Sequence, residues 1–149
     1  MTEAAQPVRL VIDASVGVKL FVKEPLSDVA HAVFAGLASD PPARLYVPDL
    51  FYIECTNILW KYVQRFDHPV RSARASLNEL ATLTLRRTAT VDLMTRAIDL
   101  AVAHGISAYD GCYLALAKSL GVVLLTADEK LARKLSGVTP GVQWLGDMR

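Results

Sequence analysis

The feature that most restricts the fold is a pair of short runs rich in β-branched and other aliphatic residues, Val8 to Ile12 and Val122 to Leu125, one near each end of the chain. Such runs suit central strands of a parallel sheet, which are buried on both faces and so lack the alternation of a half-exposed strand. Parallel neighbours require crossover connections, usually helices. Asp13 follows the first run directly and Asp128 comes soon after the second. In open parallel sheets, ligands bind outside the carboxyl ends of the strands, so both acids are expected on the functional edge.

Between and around these runs, the pattern alternates. A helix is expected from about Ser15, and a second from Pro25 in its first turn to about Ala38, with Ser39-Asp40-Pro41-Pro42 breaking it before a short strand at Leu45 to Val47. Leu50, Ile53, Ile58, Leu59, Tyr62 and Val63 give Pro48 to about Arg65 a strong helical period, with Pro48 at its start and Asp67-His68-Pro69 after its end. Helices follow at about Val70 to Leu80 and Val91 to Ala103, separated by a strand at Leu83 to Arg87, and His104-Gly105 closes the second of them. Ser107 opens a helix that ends at Gly121, Ala127 to Leu135 is a short helix, and Val142 to Leu145 a last strand. Strands alternating with helices predict an α/β domain with a mostly parallel sheet.

A chain of 149 residues suits one domain spanning residues 1–149. Its hydrophobic share of 52% and charged share of 21% are those of a globular protein able to fold without disulfides. Cys55 and Cys112 stand in apolar helical patterns without ligand-like spacing and read as core residues. Met1 to Pro7 is polar and no apolar stretch approaches membrane-spanning length, so a cytoplasmic protein is expected. The formal net charge of +1 makes no global case for nucleic acid. Local basic clusters at Lys61 and Arg65, Arg71 and Arg74, Arg86 and Arg87, and Lys130, Arg133 and Lys134 read as solvated surface that permits RNA binding.

Four acids stand out. Asp13 and Asp110 each have a structural explanation as well as a chemical one: an Asp between a strand and a helix caps the helix, and Ser107-Ala108-Tyr109-Asp110 is a capping-box pattern. Asp128 is expected to be free of capping, since Thr126 can cap the short helix with Glu129 completing the box. Glu54 lies inside an apolar helix with no basic residue until Lys61, beyond pairing range. Asn57 shares its face and is a candidate to orient it, as readily read as plain polar surface. Converging carboxylates repel one another unless a cation intervenes. Oxygen-only ligands suit Mg²⁺, with Mn²⁺ as a substitute, and such ions activate water and stabilise charge in phosphoryl chemistry. His31, His68 and His104 lack a partnered nucleophile, no Gly-rich phosphate loop follows a strand, and Ser15 reads as a helix cap or as a hydroxyl beside the acids.

The segments Val11-Ile12-Asp13-Ala14-Ser15, Phe51-Tyr52-Ile53-Glu54-Cys55-Thr56-Asn57-Ile58-Leu59-Trp60, Ser107-Ala108-Tyr109-Asp110-Gly111-Cys112-Tyr113-Leu114-Ala115-Leu116-Ala117 and Leu125-Thr126-Ala127-Asp128 resemble, in order, the motifs of PIN-domain ribonucleases, most closely the VapC-like toxins of VapBC toxin–antitoxin systems. The resemblance covers nearly the whole chain. It implies a three-layer α/β/α sandwich, endonucleolytic cleavage of RNA at an acidic Mg²⁺ or Mn²⁺ site, inhibition by a VapB-like antitoxin, and commonly a homodimer. By position it assigns Asp13, Glu54, Asp110 and Asp128 to the catalytic and metal-binding acids, with Thr126 as the hydroxyl residue before the last one. Gly111 departs from the frequent Ala there and is expected to loosen the helix start slightly. Two other readings remain at this point: an Asp-based phosphatase or phosphoacceptor domain, although Asp13-Ala14-Ser15 lacks the second Asp of the former, and a non-catalytic partner-binding module.

Overall fold

In a computed structural model, residues 3–149 are described, and Met1 and Thr2, the first part of the polar start, lie outside them. The two aliphatic runs become neighbouring strands at the middle of one sheet. β1 (Arg9–Ile12) pairs with β4 (Val123–Thr126) on one side and with β2 (Arg44–Pro48) on the other; β3 (Arg86–Thr88) and β5 (Val142–Trp144) complete the order β3-β2-β1-β4-β5. All four pairings are parallel, with Val11 opposite both Tyr46 and Leu124. Winding proceeds outward from β1 in both directions, so the topological switch point lies at its carboxyl end.

Val11, Ile12, Leu45, Val47, Leu124 and Leu125 are wholly buried, as two-sided coverage requires. Arg9 departs from the expected apolar run: it opens β1 at the edge of the sheet and is exposed. Helices cover both faces and complete the α/β/α sandwich: α1 (Ala14–Gly17), α2 (Ser27–Ala35), α3 (Leu50–Phe66), α4 (Val70–Thr82), α5 (Met94–His104), α6 (Ala108–Leu120) and α7 (Glu129–Lys134). α3 buries Phe51, Cys55 and Leu59, one side chain per turn. α6 buries every residue from Gly111 to Ala117, because it lies between the sheet and α5.

Several boundaries differ from expectation. Pro25 precedes α2 rather than opening it, since Leu26 takes a left-handed φ of 71° before the first helical residue, Ser27. Beyond Ala35 the chain tightens into a 3-10 turn at Gly36–Ala38. Pro48 closes β2, where a missing N–H is tolerated at a strand end, and α3 starts at Leu50. β3 begins only at Arg86, because α4 runs on to Thr82. Gly105 does close α5, with φ 63°.

Gly111 has a stronger reason than helix propensity. A Cβ built there would stand 2.4 Å from the Ala97 carbonyl oxygen of α5, so the α5–α6 contact excludes any side chain. Both cysteines are free and buried, as expected. Away from the sheet edge, Lys19 is only 9% exposed and its Nζ lies 3.3 Å from Glu24 Oε1, while the Tyr62 hydroxyl of α3 donates to the other Glu24 oxygen. No helix among the described residues is long and apolar enough to cross a membrane.

Candidate active site

Asp13 leaves β1 at its carboxyl end and is 6% exposed. It caps α1: its Oδ1 accepts from the Val16 amide at 3.3 Å and from the Ser15 hydroxyl. Ser15 Oγ in turn accepts from the Ala127 amide at 3.0 Å, which ties the turn after β1 to the turn after β4. Thr126, fully buried, lies close enough for its hydroxyl to lower the Asp13 carboxyl against the effect of burial. Ser15 and Thr126 therefore both stand against Asp13, whereas the sequence suggested that Thr126 caps the short helix after β4.

The capping expected around Asp128 is overturned. Thr126 Oγ1 accepts from the Asp128 amide at 3.1 Å and does not reach the helix, whereas Asp128 Oδ1 itself caps α7 by accepting from Leu131 N at 3.1 Å. The helix starts two residues later than expected, which shifts the capping position from Thr126 to Asp128. Glu129 pairs with Arg133 instead of closing a box. Asp128 stays exposed at the rim with its second oxygen uncommitted by that cap.

Asp110 sits in the first turn of α6, which Ser107 caps by accepting from the Asp110 amide at 3.0 Å. Its carboxylate faces the other acids. Asp110 raises both Asp13 and Glu54 electrostatically, and Asp128 raises Asp110. Asp110 is thus the acid within electrostatic reach of each of the other three, near the carboxyl ends of β1 and β4.

Burial is the main influence on the three inner members. Asp13 is pushed up from the ordinary 3.8 to about 6 by desolvation, against the bonds from Ser15, Thr126 and Val16, with Asp110 adding to the rise. Glu54 is raised by burial and by Asp110, and lowered by a bond from Tyr113. Asp110 is raised by burial and by Asp128, and lowered by Ser107.

The Tyr113 hydroxyl donates to Glu54 Oε1 at 2.6 Å, joining α6 to α3 across the site. Tyr113 was missed by sequence reasoning. Its signal was an aromatic with a polar tip, one turn after Asp110, within an otherwise aliphatic and small-residue stretch. Asn57, proposed to orient Glu54, is exposed, and Tyr113 does that work instead. Asn57 lies with Ile53, Glu54, Trp60, Lys61 and Tyr109 along a groove of about 740 Å³ that leads from Glu54 along α3.

Among the described residues, no three acidic, His or Cys side chains stand close enough together to hold an ion as placed. The chemistry of the donor set nevertheless fits a hard divalent cation. It is all oxygen, its inner members Asp13, Glu54 and Asp110 are raised chiefly by burial with like charge adding to the rise, and a cation offsets both effects.

The architecture is a five-stranded parallel α/β/α sandwich with acids near the carboxyl ends of its central strands. A family model described as the PIN domain matches residues 10–135, and the chain belongs to that family. Among curated relatives, Ribonuclease VapC3 of Pyrobaculum aerophilum is 35% identical over 136 residues, spanning 89% of this chain and all of the relative. Among solved structures, PAE2754 from the same organism aligns with a TM-score of 0.70 at 22% identity, over 95% of this chain and 87% of that one. A toxin–antitoxin complex from Klebsiella pneumoniae aligns with a TM-score of 0.64 at 18% identity, over 91% and 97% of the two chains.

Proposed function

We propose that this chain is a divalent-metal-dependent endoribonuclease, the toxin of a toxin–antitoxin pair, acting in the cytoplasm. The observation that carries the reading is the set of half-buried to buried carboxyls Asp13, Glu54 and Asp110 near the carboxyl end of β1, all raised by burial, with Asp110 adding to the rise of the other two. Family membership and the likeness to a named ribonuclease support the choice of RNA as substrate.

Asp13, Glu54, Asp110 and Asp128 would hold Mg²⁺, with Mn²⁺ substituting. The bound ion supplies an activated water and stabilises charge on the phosphoryl oxygens. The chain's own groups prepare the place. Ser15, Thr126 and the Val16 amide hold Asp13 in one orientation, and Tyr113 holds Glu54. Asp128, tethered at the rim by its α7 cap, completes the set from outside. The Trp60 and Tyr109 rings beside Glu54 offer stacking surfaces for unpaired bases, and Lys61 offers a charge for phosphate. A VapB-like antitoxin would restrain the enzyme, and a homodimer is the proposed assembly.

The test is cleavage of a structured RNA by purified protein with Mn²⁺. Activity is expected to vanish in EDTA and in Asp110→Asn, and expression without a partner is expected to arrest growth only with the wild-type chain. Equal cleavage in EDTA would overturn the metal-dependent reading.

A further inference from the structure

The first residue of each of three adjacent strands is an arginine: Arg9 in β1, Arg44 in β2 and Arg86 in β3. The parallel register places Arg9 opposite Arg44, and Tyr46 opposite Arg86. Side chains two apart along a strand share a face, so Arg9, Arg44, Tyr46 and Arg86 stand together on one face of the sheet, at the edge away from the carboxylates. β1 and β3 flank β2, so the Tyr46 ring is approached from both sides. The guanidinium carbons of Arg9 and Arg86 lie 5.7 and 5.9 Å from its centroid.

All three arginines are exposed, and among the described residues none forms an ion pair with a carboxylate. Burial of the Tyr46 hydroxyl opposes its ionisation, yet Arg9 chiefly, with Arg86 and Arg44, holds it below the ordinary tyrosine range, a sign of concentrated positive potential. Beside them a hollow of about 350 Å³ is walled by Pro41, Pro42, Arg44 and Arg86. Cation–π contact with the ring restrains the Arg9 and Arg86 side chains while they stay exposed, which prepares them to bind an oxyanion. Three like charges spread over roughly 10 Å, two interstrand spacings, match a chain of anions better than a single ion.

We propose that this arginine–tyrosine face grips the phosphate backbone of single-stranded RNA outside the cleavage site. The inference rests on the ribonuclease reading and adds a second contact to it. Arg9 and Asp13 lie at opposite ends of β1 with the wholly buried Val11 between them, so RNA held here reaches the acids only around the helices that cover this face.

Binding is measured by fluorescence anisotropy with a labelled oligouridylate of about twelve nucleotides, using the full chain in EDTA so that nothing is cut. The double variant Arg9→Gln/Arg86→Gln is expected to weaken binding at least tenfold and to reduce the slope of log Kd against log salt by about 1.4, two phosphate contacts on a single strand. Arg44→Gln, which stacks on no ring and so leaves Tyr46 packed, is expected to reduce the slope by about 0.7. Unchanged affinity and slope in both variants would overturn the proposal. So would an oligoglutamate peptide whose binding falls in these variants while RNA binding does not. Wild-type protein that cuts RNA with Mn²⁺ while the variants bind it normally sinks this inference alone; protein that neither binds nor cuts RNA sinks the function reading too.

Discussion

Asp13 is the acid whose removal should strengthen the fold it serves. In the folded chain its carboxyl is raised from 3.8 to about 6 by burial. Between these values the folded state holds a proton that the unfolded chain has released, so stability falls as pH rises through the window and levels off above it. A gap of about two pH units, at about 1.4 kcal/mol each, makes the ionised form costly by about 3 kcal/mol at neutral pH. Asn in its place is never charged, is a good helix cap, and keeps an oxygen for Val16 N and the Ser15 hydroxyl. Its amide group meets the Thr126 hydroxyl less well than a carboxylate oxygen does, which offsets part of the gain. Asp13→Asn is therefore expected to stabilise the metal-free protein by about 1–3 kcal/mol at pH 7.5, or several degrees in Tm for a domain of this size. Near pH 4 the difference should almost disappear. Thermal and urea unfolding in EDTA across this pH range measures both, and Mn²⁺ should then raise the Tm of the wild type more than that of the variant. A variant less stable than wild type at pH 7.5, or a gap that does not narrow toward pH 4, would refute the reasoning.

Tyr113→Phe removes the bond that holds Glu54 and should lower kcat roughly tenfold while costing about 1 kcal/mol of stability, read by steady-state cleavage and by urea unfolding. Gly111→Ala drives a methyl group into the Ala97 carbonyl and should destabilise by about 1–3 kcal/mol, with α5 and α6 displaced, visible as a lower urea midpoint. Lys19→Ala strands Glu24 beneath the surface and should cost about 2–4 kcal/mol, whereas Lys19→Met combined with Glu24→Gln should recover most of the loss. Trp60→Ala should raise KM for RNA several-fold and leave kcat nearly unchanged if the ring stacks on a base, which cleavage kinetics over a range of RNA concentrations decides.

Local pattern carried the central strands, because burial on both faces leaves a plain mark in residues such as Val11, Ile12, Leu124 and Leu125. It also carried the positions of the acids, since strand ends and helix starts are punctuated in sequence. It misjudged matters decided by a residue or two of boundary. Thr126 and Asp128 are both good capping residues, and only the start of α7 at Glu129 determined which one capped. Contacts across the chain left no local trace. The bond from Tyr113 to Glu54, the closeness of Gly111 to Ala97 and the alignment of Arg9, Arg44 and Arg86 all depend on register and helix packing.

The sheet order has a consequence for when the protein can act. β1 and β4 are neighbours in space but belong to opposite ends of the chain, and Ser15 is tied to Ala127 across them. During synthesis, therefore, Asp13 is made early, with only its local partners Ser15 and Val16 beside it, and is not buried until β4 has emerged and docked. No partial product contains the assembled cluster. The cluster can therefore form only after the segment carrying β4 and Asp128 has been made.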